Sequence, residues 1–205
     1  MNSPVFTIGH STHSTEKFLE LLRLHDIEVL GDVRSSPYSR FNPQFNRETL
    51  QQSLKEQGLL YVFLGKELGA RSEDKSCYES GRVRYDLLSR TALFQSGLER
   101  VIQGSARYRV ALMCAEKEPL ECHRTLLVAR ALDEKGVPVY HIHADGHLET
   151  HTDAMERLVE LANLPQFDLF RSPKEILTEA MARQEAMIAY TDERMASSSV
   201  REEPQ

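Results

Sequence analysis

The chain contains 205 residues, of which 40% are hydrophobic, and it carries a formal net charge of −6 at pH 7. This length favours one main domain with a sizeable core, and the acidic balance argues against a surface that coats nucleic acid non-specifically, because such binding depends on excess Lys and Arg. The sequence shows neither a signal-peptide pattern nor a stretch of ~18 apolar residues that would cross a bilayer. Three cysteines, an odd number, indicate free thiols in a reducing compartment, so we expect a cytoplasmic protein without membrane contact.

Short apolar runs, rich in β-branched and aromatic residues, alternate with longer segments of helical period. The five predicted strands are Val5 to Ile8, Val29 to Val33, Tyr61 to Leu64, Val110 to Cys114 and Val137 to Ile142. The predicted helices cover residues 14–25, 46–58, 85–103, 119–135 and 173–190. Alternation of this kind favours parallel strands joined by crossover helices. We therefore predict a three-layer α/β/α fold with a mainly parallel sheet of about five strands, followed by a C-terminal helix.

The same pattern divides the chain into three parts. We expect residues 1–165 to form a single α/β domain, residues 166–195 a C-terminal helical extension that packs on it, and residues 196–205, which are small and polar, a disordered tail. In open parallel sheets, ligands bind beside the carboxyl ends of the strands. The segments that follow the predicted strands are therefore the places to search for a functional site.

The segment after the second predicted strand is rich in arginine and aromatic residues. It reads RSSPYSRFNPQFNR over residues 34–47 and contains no acidic residue. A planar guanidinium suits phosphate or carboxylate, and aromatic rings can stack on a base. We predict an anion-binding loop that uses Arg34 and Arg40. The alternative is an irregular loop shaped by its prolines, whose arginines pair with acidic residues elsewhere.

Asp32 and His10 lie at the ends of the second and first predicted strands. In a parallel sheet these side chains could meet, and a carboxylate that fixes the tautomer of an imidazole is a common way to prepare a general base. The pair is therefore a candidate acid–base dyad. The alternative is that Asp32 caps a loop or pairs with Arg34.

Two of the three cysteines lie in the segment MCAEKEPLECHR, residues 113–124. Cys114 ends the fourth predicted strand, and Cys122 falls in the first turns of the following predicted helix. The positive end of a helix, with Arg124 or a protonated His123 nearby, would stabilise a nucleophilic thiolate. Nine residues separate Cys114 from Arg124, so the short cysteine-to-arginine loops of phosphatases and rhodaneses are not supported. Both cysteines could instead be core residues.

The same cysteines suggest a metal site as a further alternative. A Cys-x7-Cys-His arrangement, together with His10, could supply sulfur and nitrogen ligands to zinc or iron. Structural zinc sites usually contain C-x2–4-C pairs, which this chain lacks. We therefore assign no metal and no cofactor from the sequence.

Five motifs along the chain resemble a known family. TIGHST, DVRSSPYSRFNPQFN, GLLYVFLGKELGAR, LMCAEKEPLECHRTLLVARAL and VYHIHADGHLETH are similar to the bacterial and archaeal family named domain of unknown function 488, over roughly residues 5–151. The name of the family assigns no activity. The resemblance implies motif positions that include His10, Asp32, Arg34, Ser35, Arg40, Cys114, Glu116, Cys122, His123 and Arg124. Ala70 stands where the family often shows a second glycine.

Three functional hypotheses follow from these residues and from the resemblance. The first is an enzyme that acts on an anionic substrate, either a small molecule such as a nucleotide or a nucleic-acid end. Its candidate catalytic residues are Cys114, Cys122, Asp32, His10, Glu116 and His123, and its candidate anion-binding residues are Arg34, Arg40, Arg124 and Ser35. The second is a non-catalytic module that binds a nucleotide or nucleic acid. The third is a redox sensor in which Cys114 and Cys122 form a disulfide. The sequence leaves open whether the protein forms a homodimer.

Overall fold

The computed structural model describes residues 3–196, so the predicted disordered tail lies outside the described residues apart from Ala196. The strands are β1 (Val5–Gly9), β2 (Val29–Asp32), β3 (Leu60–Phe63), β4 (Tyr78–Glu79), β5 (Arg82–Val83), β6 (Val110–Cys114), β7 (Val139–Ile142) and β8 (Leu148–Thr150). The helices are α1 (Thr15–Leu24), α2 (Arg47–Glu56), α3 (Gly65–Leu68), α4 (Tyr85–Leu88), α5 (Ala92–Ser105), α6 (Arg130–Asp133), α7 (His151–Leu161), α8 (Pro173–Ile188) and α9 (Glu193–Ala196). A π-helical segment (Arg124–Ala129) leads into α6, and 3-10 turns cover Pro43–Phe45, Lys75–Cys77 and Pro119–Glu121.

Six strands form one sheet in the order β3-β2-β6-β1-β7-β8. Neighbouring strands are parallel except for β8, which is antiparallel to β7. All five predicted strands are confirmed to within two residues at each end, and the predicted fold class is confirmed. The sequence did not predict β8 or the β4–β5 hairpin, because strands of two or three residues are too short to show alternation.

Both faces of the sheet are buried, which explains why the central strands are apolar throughout. In β6, the side chains of Val110, Leu112 and Cys114 join the core formed with α5 and the π-helical segment. Ala111 and Met113 point to the opposite face and join the core formed with α1 and α2. Cys114 therefore lies on the side of the sheet that the π-helical segment covers.

The helix predicted over residues 85–103 is corrected to two helices. α4 ends at Leu88, and Thr91 then caps α5, because its Oγ1 accepts a hydrogen bond from the Phe94 N–H at 3.2 Å. A hydroxyl that satisfies an amide in the first turn favours the start of a new helix at this position.

The helix predicted over residues 119–135 also differs from the structure. A 3-10 turn ends at Glu121, and Cys122 is extended, with φ −138° and ψ 140°. The π-helical segment follows and continues into α6. Cys122 thus precedes the helix instead of lying in its first turns, but the Arg124 N–H still donates to Cys122 Sγ at 3.4 Å. Isolated π-helical turns of this kind are often found at functional sites.

The chain beyond the sheet packs back onto it. α8 begins with a capping box between Ser172 and Glu175 and buries Ile176 and Ala180. After α8, the Tyr190 carbonyl accepts a hydrogen bond from the N–H of Val83 in β5, at 2.9 Å. Among residues 3–196, no helix combines the length and the apolar character needed to span a membrane.

Candidate functional site

The carboxyl ends of β1, β2 and β6 meet at one edge of the sheet. The register pairs Gly9 with Cys114 and Asp32 with Met113, so His10, Asp32 and Cys114 come together from three neighbouring strands. This is the edge at which the sequence predicts a site, because parallel strands place their carboxyl ends together. Two polar clusters lie here, and they differ in how their polar atoms are paired.

The first cluster, the Asp32–Arg34–His10 network, is centred on a buried guanidinium. Arg34 donates from Nε and Nη2 to Oδ1 and Oδ2 of Asp32, at 2.9 and 2.7 Å. Its Nη2 also donates to the Phe45 carbonyl at 2.8 Å, and its Nη1 donates to Nε2 of His10 at 3.1 Å. The hydroxyl of Tyr61 donates to Oδ2 of Asp32 at 2.8 Å. These bonds give the ion pair the bidentate geometry and the additional partners that a buried pair requires.

Both ring nitrogens of His10 have partners in this network. Nδ1 lies 2.8 Å from the Ser11 carbonyl and is therefore the N–H donor, while Nε2 accepts from Arg34. Burial and the charge of Arg34 lower the pKa of His10 from 6.5 to about 4, although the bond to Ser11 opposes them. The expected dyad is corrected: Arg34 stands between Asp32 and His10, and His10 has no free nitrogen with which to accept a proton.

The assignment of Arg124 to anion binding is also corrected. Arg124 is fully buried, and its Nη1 and Nη2 donate to the carbonyls of Glu116 and Lys117 at 2.6 and 3.2 Å. The guanidinium therefore braces the loop between the two cysteines. Gly9 contacts the same loop so closely that a Cβ would lie 1.9 Å from the Glu116 carbonyl oxygen.

The remaining predicted anion-binding residues lie apart from each other. Arg40 is exposed, and its guanidinium lies 4.7 Å from the ring centroid of Phe41, which is itself 77% exposed. Ser35 lies nearer to the cysteines, where its Oγ accepts a hydrogen bond from the Arg71 N–H at 3.0 Å. Arg40 and Ser35 therefore do not belong to one continuous anion-binding surface.

The second cluster, the Cys114–Glu116–Cys122–His123 cluster, joins two thiols, a carboxyl group and an imidazole. Cys122 Sγ lies 2.8 Å from Oε2 of Glu116. His123 Nδ1 lies 3.6 Å from Cys114 Sγ and 3.9 Å from Cys122 Sγ. The Nε2–H of His123 donates to the Val33 carbonyl at 3.1 Å, which turns Nδ1 towards the sulfur atoms. Four of the six candidate catalytic residues are thus brought together.

The pKa values of these groups are shifted by one another. Burial and the neighbouring Cys122 raise the pKa of the Cys114 thiol and that of the Glu116 carboxyl. Burial also raises the pKa of Cys122, but the hydrogen bond from Cys114 and the charges of Arg124 and His123 outweigh it, so that the pKa falls below its ordinary value. A sulfur and a carboxylate oxygen at 2.8 Å must share a proton. The opposite shifts bring the two pKa values closer together, as expected of a proton donor and acceptor in direct contact.

This cluster lines an open cleft of about 230 Å³. Other lining residues are Arg34, Ser35, Ser36, Ala70, Arg71, Tyr85, Ala115, Glu121, Ile188 and Tyr190. The guanidinium of Arg71 lies 4.7 Å from the ring centroid of Tyr190. The sequence analysis missed both residues. Arg71 could have been found from the sequence, since it follows the third strand. Tyr190 could not, because it is held here by contacts between distant segments, such as the hydrogen bond from the Val83 N–H to its carbonyl.

Three residues of the cluster could hold a metal ion. The ligand atoms of Cys114, Cys122 and His123 all lie within 4.8 Å of one another. His10, which the sequence suggested as a further ligand, is instead turned towards Arg34 and the Ser11 carbonyl.

The chain matches a known protein family. The family described as Domain of unknown function DUF488 matches residues 14–131, which is more than half of the chain. The chain belongs to this family. No curated protein and no solved structure matches the chain significantly.

The DUF488 match covers part of the site. It contains Asp32, Arg34 and all four residues of the cysteine cluster, but it ends before β7. Ile188 and Tyr190 lie beyond it, so part of the cleft lining comes from outside the matched region. Because the family description names no activity, the functional argument depends on the geometry of the cleft.

Proposed function

We propose that this DUF488 protein is an enzyme that acts on a small anionic substrate in the cysteine cleft, with Cys122 as its nucleophile. The observation that carries the proposal is the 2.8 Å contact between Cys122 Sγ and Glu116 Oε2 in the lining of an open cleft. A nucleophilic side chain is activated by a base within hydrogen-bond reach. This pair supplies the nucleophile and the base from one loop.

Three residues of the cluster, Glu116, Cys122 and His123, have distinct roles in the proposed reaction. Glu116 takes the thiol proton, and the Cys122 sulfur forms a bond to an electrophilic carbon, sulfur or phosphorus atom. The bond to the leaving group breaks with its electron pair, and Glu116 returns the proton to that group. The Arg124 N–H and the His123 ring, which lie 3.4 and 3.9 Å from Cys122 Sγ, stabilise negative charge on the sulfur. Where the attacked atom is an acyl carbon or a phosphorus, water then attacks it, the hydroxyl of water leaves with the fragment, and the proton of water restores the Cys122 thiol.

The cleft restricts the size and charge of the substrate. Its volume of about 230 Å³ is below the ~300–1,000 Å³ that is usual for drug-sized ligands, which favours a small molecule over a stretch of nucleic acid. The exposed guanidinium of Arg71 supplies positive charge at the lining. Glu121 lies in the same lining and disfavours a highly charged polyanion.

Alkylation with a charged and an uncharged reagent tests this proposal. Iodoacetate and iodoacetamide deliver nearly the same group, but only iodoacetate is an anion. Labelling at each cysteine would be followed by peptide mass spectrometry in native and in unfolded protein. Cys122 and Cys77 are equally buried, but Cys122 lines the cleft, so we expect native Cys122 to react faster than Cys77. We also expect the iodoacetate-to-iodoacetamide rate ratio at Cys122 to be higher in the native protein than in the unfolded chain.

Two arginine variants complete this experiment. Arg71→Ala should lower the rate ratio at Cys122 towards the unfolded value. Arg107→Ala removes the same charge from an exposed position just before β6, at the opposite edge of the sheet, and should leave the ratio unchanged. A Cys122 that labels no faster than Cys77 would exclude the nucleophile, and an unchanged ratio in Arg71→Ala would exclude the anion site.

A redox sensor is the second candidate function. It is favoured by one observation, that the Sγ atoms of Cys114 and Cys122 lie within 4.8 Å of each other. Treatment with hydrogen peroxide should then join the two tryptic peptides by a disulfide that dithiothreitol reverses. Peroxide that oxidises Cys122 without joining it to Cys114 would argue against the sensor.

A further inference from the structure

The donor atoms of the cysteine cluster converge on one point. A tetrahedral zinc ion with Zn–S bonds of about 2.3 Å and Zn–N bonds of about 2.0 Å separates its ligand atoms by roughly 3.5–3.8 Å. His123 Nδ1 lies 3.6 Å from Cys114 Sγ and 3.9 Å from Cys122 Sγ, which matches that spacing.

The surroundings of these atoms are those that orient metal ligands. A histidine ligand usually donates its other N–H to a carbonyl or carboxylate, and the Nε2–H of His123 donates to the Val33 carbonyl at 3.1 Å. The Arg124 N–H points at Cys122 Sγ from 3.4 Å. The two sulfur atoms are almost completely buried, at 3% and 1% exposure of their residues. Two thiolates and a neutral imidazole would balance the charge of a divalent cation.

The types of ligand atom favour a soft divalent cation over a hard one. Thiolate and imidazole ligands select zinc and similar ions, whereas magnesium and calcium prefer oxygen ligands. The long spacing between the cysteines is unlike that of closed structural zinc sites. Three protein ligands beside an open cleft leave one coordination position accessible from the solvent.

We propose that Cys114, Cys122 and His123 bind a divalent cation of the zinc class, and that the bound ion regulates the site by occupying the sulfur of Cys122. This inference rests on the proposed function for the role of Cys122, since the electron pair that binds the ion is the one that would attack a substrate. The metal-loaded protein is then the resting form, and removal of the ion exposes the nucleophile.

Cobalt and zinc titrations of the full chain test the metal site. The protein, freed of metal by a chelator and reduced, should bind one Co²⁺ with the sulfur-to-metal charge-transfer absorption and the visible bands of tetrahedral cobalt thiolates. Zn²⁺ should displace it. Cys114→Ser should weaken Zn²⁺ binding by more than about 100-fold, the upper end of the loss caused by removing an outer-shell partner. Cys77→Ser, a buried cysteine outside the cluster, should bind as the parent does.

The labelling of Cys122 separates this inference from the proposed function. We expect chelated protein to alkylate at Cys122 and Zn²⁺-loaded protein to be protected there. If Cys122 reacts rapidly but neither ion binds, the proposed metal site is wrong and the proposal that Cys122 is a nucleophile is retained. If both ions bind tightly but Cys122 does not react in the protein freed of metal, the proposed metal site is retained and the proposal that Cys122 is a nucleophile is wrong. Circular dichroism of each variant excludes loss of folding, and Glu116→Gln, which keeps all three ligands, should still bind Co²⁺ through sulfur.

Discussion

The Asp32–Arg34–His10 network and the Cys114–Glu116–Cys122–His123 cluster lie at the same edge of the sheet, yet they have opposite character. In the network, each polar group faces a partner of complementary charge or hydrogen-bonding type. In the cluster, two thiols, a carboxyl and an imidazole face one another, and several of these atoms compete for the same protons. Residue types that look equally catalytic in the sequence are therefore paired very differently in the structure, and this difference in pairing is why we propose the cluster, and not the network, as the reactive centre.

The largest loss of folding stability is expected when the carboxylate of Asp32 is removed from the network. Asp32→Ala leaves the buried guanidinium of Arg34 without its counter-ion, and losing one partner of a buried ion pair costs about 3–5 kcal/mol. Tyr61→Phe removes only one hydrogen bond to the same carboxylate, for about 1 kcal/mol. Urea unfolding of both variants measures the difference. Equal losses would show that the pair is not the centre of the network.

Acid should weaken the network through His10. The folded pKa of about 4 lies below the ordinary value of 6.5, so the unfolded chain binds the proton more readily. Stability is therefore fully present above pH 6.5 and is lost as the pH falls towards 4, by about 3 kcal/mol for this group. Unfolding free energies across this range should show a smaller loss for His10→Gln. A parallel pH dependence in both proteins would contradict the assignment.

A smaller loss of folding stability is expected at Gly9, which precedes His10 and contacts the loop of the cysteine cluster. Gly9→Ala places a Cβ 1.9 Å from the Glu116 carbonyl oxygen, and overpacking of this kind costs about 1–3 kcal/mol. The displaced loop should also separate Glu116 from Cys122 and slow alkylation of Cys122. Gly104→Ala is the matched control, because its Cβ would meet only a Val110 methyl group, at 3.9 Å. A Gly9 variant with parental stability and labelling would show that the loop adapts freely.

The smallest stability effect is expected in the reactive cluster itself. Cys122→Ser keeps a hydroxyl that can donate to Glu116, so we expect a loss of about 1 kcal/mol. The same variant should abolish labelling at this position and weaken Co²⁺ binding. Unfolding and metal titration of one preparation would measure both. A loss near that of Asp32→Ala would mean that the cluster is part of the scaffold after all.

The sheet and its functional edge could be predicted from the sequence, because burial on both faces leaves continuous apolar strands that end at chemically rich loops. Helix continuity could not be predicted across residues 119–135, where the break at Cys122 depends on contacts with the loop that Arg124 braces. A periodic pattern records which residues are apolar, but not where a backbone leaves its helical path.

The sequence could indicate candidate residues, but not which partners their side chains have. Arginine is compatible with a bound anion or with an internal partner, and only geometry shows that Arg34 pairs with Asp32 and that Arg124 binds loop carbonyls. The sequence left the pairing of Asp32 with Arg34 open as an alternative. Tyr190 could not be found at all, since its approach to the cleft depends on contacts between distant segments.

The strand order has a consequence for the time course of folding. β1 lies between β6 and β7, and β2 lies between β3 and β6. The β1 strand therefore has no neighbour in the sheet until residues about a hundred positions later have been synthesised. Pairings between such distant segments form slowly, so the central strands meet late. Until then the two cysteines that will become almost completely buried remain accessible to solvent and to oxidants.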